Sequence, residues 1–513
     1  RAAMNDNTTG ANNTAVGQVA LGDNTTASNN TAVGCQSLRL NTTGAENTAV
    51  GSFALQNNTA SQNTAVGHDA SQANTTGAHN TAVGAFSQHL NTTGSHNTSV
   101  GKSSLGYNTT GDYNTALGRN AMNANTTANY NTAVGYQALY ANTTGAQNTA
   151  VGGSALDANT TASFNTALGY QTLSTNTTGY DNVAVGNDAL LSNSTGAENV
   201  AVGKQSLDAN TTGIKNVAIG KYSLSGNTTG GSNTAVGDQA LFTQTGADHN
   251  IAVGRSVLYS NTTGTKQVAI GNYALYDNTT GSQNTALGYG TLANNTTASN
   301  NTAIGFESLT QNTTGTYNTA VGYKTLDANT AGNWGTAVGY DSLTNNNGTE
   351  NTAIGGNSLK NNTTGGYNTA CGISALESNT TASNNTAVGR NAMAVNTTGT
   401  QNVAVGALAL DANTTADDQV AIGYQALSAT TTGSFNTAVG KNAMVNNTTG
   451  GLNVAIGVNA MANVTTANHN VAVGANTSNQ NVTGTHNCAV GSYTLQANTT
   501  NYQTAIGAYA LNA

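Results

Sequence analysis

The chain has 513 residues, of which 7% are charged, 5% aromatic and none proline, with a formal net charge of −8. Ordinary globular proteins are about 25% charged, and the 13 basic residues here are scattered singly, so no basic stripe is present to follow a phosphate backbone and nucleic acid is not an expected partner. No apolar run approaches the roughly 20 residues of a membrane helix, and Arg1-Ala2-Ala3-Met4 does not read as a signal peptide. Disorder is excluded because Val, Ile and Leu return at fixed positions.

The five residues Asn-Thr-Ala-Val-Gly recur along the chain, with the glycine at Gly17, Gly34, Gly51, Gly67, Gly84 and onward to Gly507. The spacing is 17 residues except for three steps of 16 that end at Gly67, Gly355 and Gly507. A period this short marks a solenoid in which each repeat is one rung. Seventeen residues leave no room for a strand, a helix and two turns. The expected fold is therefore an all-β parallel β-solenoid of about thirty 17-residue rungs, one tandem-repeat domain over residues 1–513. At a strand spacing of about 4.8 Å such a stack is on the order of 140 Å long. The pattern runs to both ends without a divergent cap, which reads as a piece of a longer protein.

A full rung runs from Asn131 to Gln147: Asn-Thr-Ala-Val-Gly-Tyr-Gln-Ala-Leu-Tyr-Ala-Asn-Thr-Thr-Gly-Ala-Gln. Its first element is a short strand, Asn131-Thr132-Ala133-Val134, closed by Gly135. A glycine kept in every copy, as at Gly17, Gly34 and Gly51, predicts φ > 0 or a backbone approach too close for a Cβ. The Ala133 place is Ala in every copy except Ser99, so the interior is narrow. Its neighbours are restricted to Thr, Val, Ile or Cys before it and Val, Ile, Leu or Cys after it. Alternation along a strand puts these on the opposite face. Both faces are therefore expected to be buried, the second by self-association. The leading Asn131 place, replaced only by Gln267, Gln419, Gln503 and Gly335, predicts a ladder of stacked carboxamides.

Further along, the Leu139 place is Leu or Met except at Ser71, Gln88 and Ser478, and supplies a second apolar column. The Asn-Thr-Thr-Gly segment reads as a second short extended stretch with its own turn. Its triplets, among them Asn74, Asn91, Asn142, Asn261 and Asn396, match the N-glycosylation pattern, although an Asn-turn repeat explains them equally. Three cysteines, Cys35, Cys371 and Cys488, show no metal-ligand spacing, and the last two sit at strand places where a packing thiol fits.

These residues resemble the head repeats of YadA-like trimeric autotransporter adhesins, and are similar to repeats of phage tail fibres. Variants such as Asn182-Val183-Ala184-Val185-Gly186 and Asn216-Val217-Ala218-Ile219-Gly220 come closest. The resemblance implies a left-handed β-roll, a homotrimer, and an extracellular place on a bacterial surface or virion. It departs from the family in its longer rung and in carrying no coiled-coil stalk, membrane-anchor barrel or self-cleaving chaperone.

Candidate recognition residues lie on either side of the motif. The place before the motif Asn is the most variable and carries Tyr113, Tyr130, Tyr317, Trp334 and Tyr367. The place after the glycine carries Tyr136, Tyr170, Tyr289, Tyr323, Tyr340 and Tyr424, alternating with Lys102, Arg119 and Lys441. Aromatic residues repeated along an exposed edge suit stacking on sugars or on a host-cell receptor. His79 with His96, and His469 with His486, lie one rung apart and form weak metal candidates, without a recurring carboxylate beside them. Gly101-Lys102-Ser103 imitates the end of a P-loop, but His96 stands where its first glycine is required. No nucleophile, base and orienting acid converge, so neither an enzyme nor a cofactor is expected. The expected function is a structural and adhesive surface fibre. A self-assembling extracellular filament is the alternative. Ice binding is disfavoured because Val183, Val200 and Val217 interrupt the Thr column.

Overall fold

The computed structural model describes residues 2–497 and 499–512. The chain divides into two compact units, residues 1–263 and 264–513. The first carries β1 (Thr14–Val16) to β15 (Ile251–Val253), the second β16 (Val268–Ile270) to β30 (Thr504–Ile506). Within each unit every strand pairs in parallel with the next one in sequence. Thr14 faces Thr31 and Thr234 faces Ile251 in the first, and Val268 faces Thr285 and Cys488 faces Thr504 in the second. Each unit is thus a parallel β-solenoid with the 17-residue repeat, and no helix occurs among the described residues.

Each strand is only three residues long, and its middle residue points inward. Ala133 is fully buried while Thr132 and Val134 on either side are half-buried. As expected of one chain, the coil covers the Ala face alone and leaves the outer strand face half-buried or exposed. Cys371, at a Val place, is accordingly exposed rather than packed. Opposite the Ala column stand the small residue three places after the glycine and the Leu place, with Ala138 and Leu139 both at 0% exposure. Burying a leucine stabilises by roughly 1.5–3 kcal/mol. Where Ser99 enters the Ala column, Ser87 faces it and the two hydroxyls hydrogen-bond, so the polar exception is satisfied inside the core.

The motif glycine meets both conditions expected of it. Its φ lies far from values open to other residues, at 130° for Gly17, 139° for Gly34, 135° for Gly51 and 137° for Gly135. A Cβ on Gly17 would also stand 2.6 Å from the carbonyl oxygen of Gly34.

Three further places in each rung have positive φ and, Gly290 apart, are filled by residues other than glycine. They are the second and fourth residues after the glycine, Gln137 (φ 53°) and Leu139 (φ 54°), and the residue before the motif Asn, Tyr130 (φ 59°). Branching at Cβ disfavours the left-handed region. In a chain rich in Thr and Val, Val19 is the one β-branched residue in any of these three places. Every residue at the strand place before Ala, in contrast, is Thr, Val, Ile or Cys. The Leu column therefore excludes Ile and Val for a conformational reason, not a hydrophobic one.

The second extended stretch is also corrected. Asn142-Thr143-Thr144-Gly145 forms a turn and not a strand. The Asn142 Nδ2 donates to the Gly145 carbonyl at 2.8 Å, closing the turn. In the 16-residue rungs the deletion falls here. Asn58 reaches the Ala60 carbonyl two residues on at 2.7 Å, and the strands stay in register, Thr48 against Thr64.

The carboxamide ladder exists but is divided between two columns. Asn131 Oδ1 accepts from the backbone N–H of Asn148 at 2.9 Å, and its Nδ2 donates across the coil to the Gly145 carbonyl at 2.9 Å. Amide-to-amide bonding runs down the turn column, where Asn142 Nδ2 donates to Asn125 Oδ1 at 3.0 Å and Asn159 Nδ2 to Asn142 Oδ1 at 2.9 Å, and also joins several pairs of the motif column, such as Asn182 Nδ2 to Asn165 Oδ1 at 3.2 Å and Asn199 Nδ2 to Asn182 Oδ1 at 3.1 Å. Both columns are fully buried.

Leu139→Ile is expected to destabilise its rung by about 1–2 kcal/mol more than Leu139→Met, because a β-branched side chain resists the left-handed backbone. Hydrogen exchange over residues 130–160 measures this, and equal protection in the two variants would contradict it.

Candidate functional site

In-register stacking fixes where the variable side chains go. A residue and its equivalent one rung away share a backbone conformation, so like side chains fall over one another at the rung spacing. In the column before the motif Asn, His79, His96, Tyr113 and Tyr130 form one ladder of four rings. Successive centroids are 4.7, 4.8 and 5.1 Å apart and the planes within 6° of parallel. In the second unit Tyr317 stacks on Trp334 at 4.2 Å, and His469, His486 and Tyr502 follow at 4.7 and 4.9 Å. In the column after the glycine, Tyr289, Phe306, Tyr323 and Tyr340 make a second four-ring ladder with separations of 5.4, 5.6 and 5.2 Å. These rings are open to solvent, Trp334 at 57% and Tyr340 at 58%.

The structure therefore brings together Tyr113 with Tyr130, Tyr317 with Trp334, and Tyr323 with Tyr340. It leaves Tyr136 and Tyr170 apart, since Gly153 occupies the rung between them. Tyr367 and Tyr424 are exposed and have no ring partner among the described residues. Phe306 joins the ladder although it stands outside the tyrosine set. Reading the post-glycine column for any aromatic residue finds it. A centroid spacing of 4.2–5.6 Å with near-parallel planes is offset stacking, in which each ring covers part of its neighbour's face. Only the end ring of a ladder, or a solitary Tyr such as Tyr136, offers an uncovered face for stacking on a ligand.

The histidine pairs show what stacking does to chemistry. Ring nitrogens present their lone pairs in the ring plane, so two imidazoles 4.7 Å apart and 6° from parallel aim side by side and do not converge on one ion. Among the described residues no group of three or more His, Cys, Asp or Glu is placed to hold a metal. Charges beside the second ladder are paired. Lys324 lies 3.3 Å from Glu307 and 5.7 Å from the Tyr323 centroid, and the Glu307 hydrogen bond holds its ammonium above the usual lysine value. Lys360 meets Asp341 at 2.9 Å, which raises that ammonium likewise.

No protein-family model matches the chain, and no curated protein matches it either.

The five Asn-Thr-Thr triplets named above are closed to modification once folded. Asn74, Asn91, Asn142, Asn261 and Asn396 are each at 0% exposure, and the Asn142 Nδ2 is committed to two acceptors. Passage through a glycosylating secretory pathway is expected to yield a protease-resistant fraction without glycan and a sensitive fraction with it. Intact-mass measurement of the two fractions is the check, and a glycan on Asn142 in the resistant fraction would contradict the burial.

Proposed function

We propose that this chain is the shaft of a structural and adhesive surface fibre, a homotrimer displayed outside the cell or on a virion, whose repeated side chains attach it to a host-cell receptor or glycan. The observation that carries this reading is the division of each rung into an invariant buried part and a variable exposed part, with rings repeated in the exposed part at the rung spacing. Such a surface offers many like contacts along one direction. Linked weak contacts multiply, so modest affinity at each suffices for firm attachment.

Self-association has separate support. The outer strand face carries one aliphatic residue per rung, and many of them are exposed, including Val100 at 41%, Leu168 at 47%, Leu287 at 42% and Ile354 at 43%. Continuous apolar strips of this kind mark interaction surfaces. The β-branched residues at the strand place before Ala flank the strip and extend it. Three chains packing these strips together would give the strands their second cover. The resemblance to trimeric adhesin heads supplies the number three.

Light scattering on the purified chain is expected to give a single mass of three chains. An open-ended distribution of lengths would instead favour the filament. Replacing Tyr323, Tyr340 and Trp334 together by Ser is expected to lower binding to target cells by tenfold or more, with the solenoid intact by circular dichroism. Unchanged adhesion would remove these rings from the attachment surface.

A further inference from the structure

Between the motif glycine and the turn, the fifth place carries a large side chain in the neighbouring rungs, Arg39, Gln56, Gln72, His89, Asn123 and Tyr140. Two rungs have glycine there. At Gly22 the Val19 side chain lies against the gap, 2.7 Å from where a Cβ would stand. At Gly106 the Asn123 amide stands 2.8 Å from where a Cβ would be, and beside it lies a cavity of about 250 Å³.

The walls of this cavity are aromatic and polar without a permanent charge. Phe86 forms one side, and it meets His68 and His89 at 64° and 78°, so no parallel ring caps it as in the ladders. Tyr107, 55% exposed, stands at the rim. His89 Nδ1 lies 3.3 Å from the Asp69 carbonyl oxygen. An acceptor on that side assigns the proton to Nδ1 and leaves Nε2 as an acceptor in the neutral ring. Asn123 donates its Nδ2 to the Ser103 carbonyl at 2.8 Å, which frees its Oδ1 to accept. The Asn120 amide and the Ser103 hydroxyl also line the space and have no side-chain hydrogen bond among the described residues.

We infer that the cavity at Gly106 is a binding subsite for one neutral sugar ring. A sugar presents an apolar C–H face and a rim of hydroxyls that both donate and accept. The cavity pairs an aromatic side chain with amide, hydroxyl and imidazole groups that do both. Phosphates, carboxylates and ammonium ions find no countercharge in this lining. The volume falls just below the ~300 Å³ lower end of drug-sized pockets, which suits a single ring. This goes beyond the attachment reading, since a site for one free sugar stands whether or not the chain is a fibre and involves none of the ring ladders.

The repeat supplies its own control substitutions. Gly106 has an ordinary backbone conformation, and a Cβ there requires only the end of the Asn123 side chain, 2.8 Å away, to turn aside, so Gly106→Gln puts there the residue found at Gln56 and Gln72 and fills the cavity. Tyr107→Ala gives that place the residue found at Ala124 and Ala141. The test is saturation-transfer NMR of the whole chain with methyl glycosides of neutral hexoses and N-acetylhexosamines. The intact chain is expected to transfer to at least one glycoside, with affinity at least tenfold weaker in Gly106→Gln and also reduced in Tyr107→Ala. Binding should be unchanged in the Tyr323, Tyr340 and Trp334 variant. No transfer across the panel, or equal transfer in Gly106→Gln and Tyr107→Ala, overturns the subsite. Failed cell attachment with intact sugar binding would count against the fibre reading alone.

Discussion

The interior amide network is the constraint on which each solenoid unit depends. In the rung that begins at Asn131, two buried asparagines send Nδ2 to the same Gly145 carbonyl, one from across the coil and one from within the turn. Their oxygens serve the adjoining rung, one through its backbone N–H and one through its side-chain amide. A buried polar group left without a partner costs about 1–3 kcal/mol. Replacing one asparagine by an apolar residue therefore strands groups in two rungs at once. Among the exceptions Gln419 keeps the chemistry, still donating to the Gly433 carbonyl and accepting, at 3.3 Å, from the Asn436 N–H, whereas Gly335 has no side-chain amide to offer. Apolar burial is modest by comparison, one Leu and two small residues in most rungs.

A second constraint acts on the backbone. Each rung alternates strand residues, where Cβ branching is favoured, with left-handed residues, where it occurs only at Val19. The composition follows this alternation even where the side chain faces solvent. The column before the motif Asn holds His, Tyr, Trp, Phe, Lys, Glu and Asn, but no Thr or Val. Its variability is thus chemical and not conformational, and unbranched aromatics fall within what the backbone allows.

Most of the fold was legible in the sequence because its interior tolerates few alternatives. Gly135, Ala133 and Leu139 each sit where a different side chain would collide, strain or leave a void, so their recurrence reports geometry directly. The division of labour between Asn131 and Asn142 was not legible, because both recur equally and only the course of the turn decides which oxygen meets which donor. The restriction to Thr, Val, Ile, Leu and Cys on the outer strand face marked in advance the face that one chain leaves open. For the exposed columns, the 17-residue coincidence of aromatic residues announced the stacks. That stacked rings cover one another's faces depends on ring orientation, which spacing does not carry. The cavity at Gly106 left only a missing side chain as its trace.

The shortened rungs bear on how such a chain changes length. Loss of one threonine is absorbed inside a turn, as at Asn58 and Asn346, and the strands above and below remain matched residue for residue. Since each rung bonds only to its immediate neighbours, removing or duplicating a whole repeat within a unit would restore the same contacts at the junction. Tandem DNA repeats gain and lose copies by misaligned recombination, and here that process would yield a folded product at almost every step. The number of rungs is then a quantity that selection can adjust freely, while the cross-section stays fixed.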